Sequence, residues 1–300
     1  MKRSQLLVLV IVNMVAPLSI QAAPTSKTKE FVSVLPQESE LGRASGSPTA
    51  LELGWRAYQQ GDLSAALKSY QTATESNPQD ATLWYDLGCL YALTQQTDQA
   101  HAVFEKVLTL NPQFAAAQDA LGQLHELQGD TSTAKTFYIS AVELEPLSKK
   151  FLRHLARILL QLREEEPARR ALADLLNTDP SDSNARYQLG VLELRANATE
   201  LAVNDFHKAL ELAPNHLLAW NGLALAYARI GAFREAAEAI DKAKALNPNS
   251  AATATNLGII AAYQQRWDEA KSAWEQALKL DPQFAPAARN LESLTAPSTP

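Results

Sequence analysis

The side chains best able to hold a metal or move a proton are five histidines, His101, His125, His154, His207 and His216. A helical metal pair of the HExxH kind needs two of them four residues apart, so that both rings leave one face. No two have that spacing. A zinc or iron centre is therefore not expected, nor is any other cofactor. The single cysteine, Cys89, excludes an internal disulfide. It would act as a nucleophile only as a thiolate, and no cation on its own helix stands near enough to lower its pKa. Carboxylates are plentiful, but on helices they form a solvated face, and no two mark themselves as an acid and base pair. No glycine-rich phosphate loop occurs. The chemistry of the residues points to a non-enzyme.

The elements that position these residues repeat along the chain. The phrase LTLNPQFAAA, starting at Leu108, returns as LKLDPQFAPA at Leu278. Pro78, Pro112, Pro146, Pro180, Pro214, Pro248 and Pro282 follow one another at 34-residue steps without insertion or deletion. The chain thus holds seven units, 47–80, 81–114, 115–148, 149–182, 183–216, 217–250 and 251–284. Counting each unit with its proline at position 32, position 20 is always alanine (Ala66 to Ala270) and position 7 always leucine (Leu53 to Leu257). Position 8 is always small and position 24 always large. Small facing large at helical spacing lets two antiparallel helices interlock without a void. The apolar period is that of helices, not strands. Glycine with aspartate near position 15, as in Gly61-Asp62 and Gly129-Asp130, predicts the turn inside each pair. The proline then stops the second helix, because the residue before it resists helical geometry.

This pattern resembles the tetratricopeptide repeat (TPR) family. The stretch from Trp84 to Pro112, WYDLGCLYALTQQTDQAHAVFEKVLTLNP, carries that family's Trp, Leu-Gly, Tyr, Ala, Phe and Pro positions in order. The resemblance implies an all-α, right-handed α-solenoid of seven 34-residue helix-turn-helix repeats. A truncated further helix over 285–294 would cap the last unit. It also implies that first helices line a concave groove, into which positions 2, 5, 9, 12 and 13 point.

With that register, repeats 1 and 2 expose Leu51, Trp55, Tyr58, Tyr85, Cys89 and Leu93, an apolar and aromatic patch suited to anchoring a peptide or protein. Lys150, Arg153, Arg157, Arg195 and Arg229 make a basic stripe in an acidic chain. Tyr187, Val191, Leu194, Leu225, Ile259 and Tyr263 flank it with apolar surface. Formal charges of −2, −2 and −4 for the first three repeats, against +1, −1, +1 and −1 for the rest, suggest different partner segments for the two parts. The expected partner is a protein or peptide with an acidic portion over Arg153 and Arg157. The alternative is a glycan stacked on Trp55, Tyr58 and Tyr85. Position 6 holds one asparagine in seven, unlike the relatives that transfer N-acetylglucosamine, and no three successive units match the set that grips chaperone tails.

Outside the repeats, Lys2 and Arg3 precede LLVLVIVNMVA and the small residues of SIQAA, which reads as a secretory signal peptide over 1–22. The apolar run is short for a bilayer span, which needs about 20 residues, so a retained anchor is the weaker alternative. A polar leader over 23–46 and a tail over 295–300 follow the composition of flexible segments. The net charge of −6 gives no concentrated basic surface, so nucleic acid is not an expected partner. Together these features lead to the expectation of an exported, non-enzymatic scaffold, most simply in a bacterial periplasm. The sequon Asn197-Ala198-Thr199 keeps a eukaryotic secretory home open.

Overall fold

A computed structural model describes residues 49–295. The expected signal peptide, leader and all but the first residue of the tail lie outside the described residues. Among the described residues every regular element is an α-helix. In chain order these are α1 (Ala50–Gln59), α2 (Leu63–Ser76), α3 (Ala81–Leu93), α4 (Thr97–Leu110), α5 (Ala115–Leu127), α6 (Thr131–Leu144), α7 (Lys149–Gln161) and α8 (Glu165–Thr178). Then come α9 (Ser183–Arg195), α10 (Thr199–Leu212), α11 (Leu217–Arg229), α12 (Phe233–Leu246), α13 (Ala251–Tyr263), α14 (Trp267–Leu280) and α15 (Ala285–Thr295). Two compact units divide within α8, one running to Ala171 and the other starting at Leu172. Each is a stack of helix pairs packed in chain order, the all-α solenoid architecture.

Local chemistry sets the helix ends. Thr49 and Glu52 form a reciprocal capping box at α1, and the Asp62, Asp80, Asp130 and Asp182 carboxylates accept N–H groups of the helices they precede. These caps satisfy amide donors that have no partner inside the helix. The turn between paired helices places one residue of each repeat in the left-handed region: Gly61, Gln95, Gly129, Arg163, Asn197, Gly231 and Gln265, with φ from 59° to 84°. Four of the seven are not glycine, so the turn is set by the register of the two helices around it and not by the residue in it.

The interlock of small and large residues is tight. A Cβ on Gly88 would stand 2.5 Å from Phe104 Cε1, and one on Gly258 would stand 2.4 Å from Trp274 Nε1. Phe104 and Trp274 are fully buried, and the Trp274 indole N–H donates to the Thr255 carbonyl at 3.1 Å. First helices also touch one another: α3 meets α5 in one unit, while α9 meets α11 and α11 meets α13 in the other. That lateral contact decides which inward residues remain accessible.

Candidate functional site

In the unit ending at Ala171, Leu51, Trp55 and Tyr58 stand at steps of four and three on α1 and therefore share one face. All three are partly exposed. Leu51 and Tyr58 rest on the buried cluster of Ala66, Tyr70, Leu87 and Leu90, which supports these two from behind, and Leu93 of α3 packs on the same cluster.

Tyr85 and Cys89 do not join that surface. Tyr85 is 2% exposed and Cys89 1%, because the start of α5 closes over α3. The Tyr85 ring lies 5.1 Å from Phe114 and 5.6 Å from Phe104, and both residues share a core with Ala117, Leu121 and Leu124. Burial pushes the Cys89 thiol up to about 12. The expected patch therefore shrinks to the α1 stripe with the partly exposed Leu93 of α3, and the glycan platform loses its third ring.

The basic stripe of the fourth repeat is turned against the third. Lys150 Nζ lies 3.1 Å from Asp119 Oδ2 and His154 Nδ1 lies 2.6 Å from Asp119 Oδ1. The Gln123 amide donates to Asp119 Oδ2 at 2.7 Å. Burial alone would raise the Asp119 carboxyl, but hydrogen bonds and charge from His154 and Lys150 outweigh it and hold the group below its ordinary range. Arg157 pairs with Glu126, whose other oxygen accepts the Tyr138 hydroxyl at 2.8 Å. Burial pushes the Tyr138 phenol upward. Lys150 and Arg157 thus hold α7 against α5, and Arg153 is the exposed cation of the set. Asp119, Gln123 and Glu126 are residues that sequence reading passed over, and His154 was weighed there only as a metal ligand. Their signal was available as opposite charges close to one period apart, 35 residues for Asp119 with His154 and 31 for Glu126 with Arg157.

In the unit starting at Leu172, Tyr187 is likewise core, not surface, at 7% exposure. Its ring sits 5.0 Å from His216 and 6.0 Å from Phe206, and its buried hydroxyl has no hydrogen-bond partner among the described residues. Val191, Leu194 and Ile259, expected to flank a groove, are buried as well, since neighbouring first helices cover them. Arg229 caps α9, donating to the Leu194 carbonyl at 2.6 Å and to the side chain of Asn197. Arg195, Leu225 and Tyr263 remain partly exposed. Burial raises the Tyr263 phenol, and the charge of Arg229 opposes that rise. Behind them the Asn256 amide donates to Asn221 at 3.0 Å, and Asn221 donates to Thr253 at 3.1 Å, a buried polar link between α11 and α13. Among the described residues, no group of three or more histidine, cysteine or acidic side chains is placed to hold a metal ion.

Stacked helix pairs with small and large residues interlocked, and with partly exposed aromatic and apolar side chains on the first helices, define a helical-repeat scaffold. Sequence patterns described as tetratricopeptide repeat match residues 51–113, 127–190, 187–251 and 251–284. The chain belongs to the tetratricopeptide repeat family. It is 26% identical over 204 residues to Superkiller protein 3 of Schizosaccharomyces pombe, covering 62% of this chain and 15% of that protein. It is 26% identical over 153 residues to Anaphase-promoting complex subunit 3 of the same organism, covering 51% of this chain and 22% of that one. The chain therefore spans under a quarter of the length of these curated relatives. Among solved structures, YrrB, described as a TPR protein with an unusual peptide-binding site, superposes with a TM-score of 0.58 at 22% identity, covering 63% of this chain and 97% of that one. PilF of Pseudomonas aeruginosa superposes with a TM-score of 0.55 at 20% identity, covering 70% of this chain and 95% of that one. Such identities speak for the fold.

Proposed function

We propose that this chain is a non-enzymatic scaffold that binds a protein or peptide on the inner faces of its first helices. The observation that carries the reading is the α1 stripe of Leu51, Trp55 and Tyr58, three partly exposed apolar and aromatic side chains on one helix face. Side chains backed by the core, as Leu51 and Tyr58 are, lose little freedom on binding, which is what makes a few anchors sufficient for affinity. The peptide-binding site in the description of YrrB is consistent with this use of the fold. An acidic segment in the partner is not part of the reading, because Lys150 and Arg157 are engaged by Asp119 and Glu126.

The proposed setting is the cell envelope, in a role such as secretion, outer-membrane assembly or polysaccharide export. The support for it is the charged and apolar pattern of the first 22 residues. Full-length tagged chain, purified with its partners after crosslinking in intact cells, tests both parts. Partner recovery is expected from the envelope fraction and is expected to drop with Trp55→Ala plus Tyr58→Ala. Recovery equal to wild type, or a chain found only in the cytoplasm, contradicts the corresponding part.

A further inference from the structure

At two places in the chain, the space between two second helices is filled by two aromatic side chains, seven residues apart, of the first helix between them. On α3 these are Trp84 and Tyr91, which pack against α2 on one side and α4 on the other. The Trp84 indole N–H donates to the Pro78 carbonyl at 3.0 Å, the Lys106 ammonium stands 3.6 Å from the Trp84 ring centre, and Tyr91 Oη accepts from Gln71 at 2.8 Å. Helix α11 repeats the arrangement. Trp220 donates to the Pro214 carbonyl at 2.8 Å, Tyr227 Oη lies 2.6 Å from His207 Nε2, and both rings join the core of α10 and α12. On α5 one of the two positions is His125, whose ring lies 5.3 Å from both His101 of α4 and Phe137 of α6.

On α13 the two positions are Ala254 and Ala261. The space they leave is a cleft of about 550 Å³ walled by α12 and α14. Leu257 lines it and is 42% exposed; at the same position Leu53 of the first repeat is also exposed, at 46%, whereas Leu87, Leu121, Leu155 and Leu223 are buried. The groups that receive the aromatic pair elsewhere have counterparts here. Pro248 stands in the register of Pro78 and Pro214, Asp241 in that of Gln71 and His207, and Gln276 in that of Lys106. All three line the cleft.

We infer that this cleft docks a tryptophan or tyrosine side chain presented by a partner polypeptide. The cleft's charges are mixed, Asp241 and Glu269 against Lys244 and Arg266. Asp241 stands where Gln71 and His207 meet the ring hydroxyls elsewhere and its carboxylate accepts, so the complementary occupant carries an N–H or O–H donor on an otherwise apolar ring. Leu257 and Leu280 supply the apolar contact. The cleft follows α14 from Arg266 to Leu280, about 20 Å at helical rise, which suits a chain segment and exceeds a free aromatic amino acid. This site is separate from the α1 stripe and stands or falls without it.

The test uses the full chain and a fluorescently labelled, stapled helical peptide carrying tryptophan and tyrosine seven residues apart. Binding is expected. It should weaken by about tenfold or more when both aromatics are replaced by alanine, and when Ala254→Trp with Ala261→Tyr fills the cleft from within. Asp241→Ala should weaken it severalfold, and this surface substitution decides the matter if the filled variant does not fold. Absence of binding, or binding indifferent to Asp241→Ala, overturns the inference. N-acetyl-tryptophanamide binding as tightly as the peptide overturns the polypeptide assignment and leaves a small-aromatic site.

Discussion

His154 Nδ1 and Asp119 Oδ1 meet at 2.6 Å across the contact between α7 and α5, in a position where the carboxylate is fully buried. With Lys150 and Gln123 on the other oxygen, the Asp119 carboxylate becomes the hub that ties the fourth repeat to the third. Removing one member of such a set leaves the others charged or unbonded in a medium that does not solvate them. Asp119→Ala should lower unfolding free energy by about 3–5 kcal/mol, read from denaturant melts.

The same carboxyl makes a pH prediction. Its folded pKa lies below the ordinary value of 3.8, so its contribution to stability is fully present above that value and is lost as pH falls through the lower folded one. Melting temperature measured below about pH 4 should fall less steeply in Asp119→Asn than in wild type. An identical slope in the two proteins would remove Asp119 from the acid response.

Gln95 and Gln265 hold φ of 61° in turns where Gly61, Gly129 and Gly231 serve other repeats. A side chain in that region costs roughly 1 kcal/mol that glycine avoids. Gln95→Gly or Gln265→Gly should therefore raise stability by up to about 1 kcal/mol, checked by chemical denaturation.

Gly88 gives the opposite sign. A Cβ there would meet the Phe104 ring at 2.5 Å, and the ring is enclosed on every side. Gly88→Ala should cost about 1–3 kcal/mol through overpacking.

Cys89 should resist modification in the folded chain, since its thiol is buried and pushed up to about 12. Labelling with a thiol reagent at pH 8 is expected to be slow and to accelerate on adding denaturant. Rapid labelling of folded protein would place Cys89 at a surface after all.

The architecture was legible because it rests on spacing. Alanine at position 20 and a large residue at position 24 admit few packings other than paired helices, and the prolines mark every stop. The accessible face was read less well, for a physical reason. A helical register states which side of a first helix faces inward, but not how closely the next first helix lies against it, and that distance buries Tyr85, Cys89 and Tyr187. Charge summed by repeat hid the second point. The −4 of the third repeat and the cations of the fourth are in contact, so Lys150 and Arg157 serve cohesion before any partner. The aromatic pairs Trp84 with Tyr91 and Trp220 with Tyr227 stand at positions 4 and 11 of their repeats, in step with the apolar period of a first helix. Their absence on α13 acquired meaning only once Trp84 and Tyr91 were seen to fill a defined space.

The most direct test of partner binding on the first helices is a photo-crosslinking amino acid placed in turn at Trp55, on the exposed stripe of α1, and at Lys68, on the exposed side of α2. Irradiation of intact cells should give a discrete protein adduct from position 55 and none from position 68. Equal adducts from the two positions, or none from position 55 in a chain that is folded, would contradict the account.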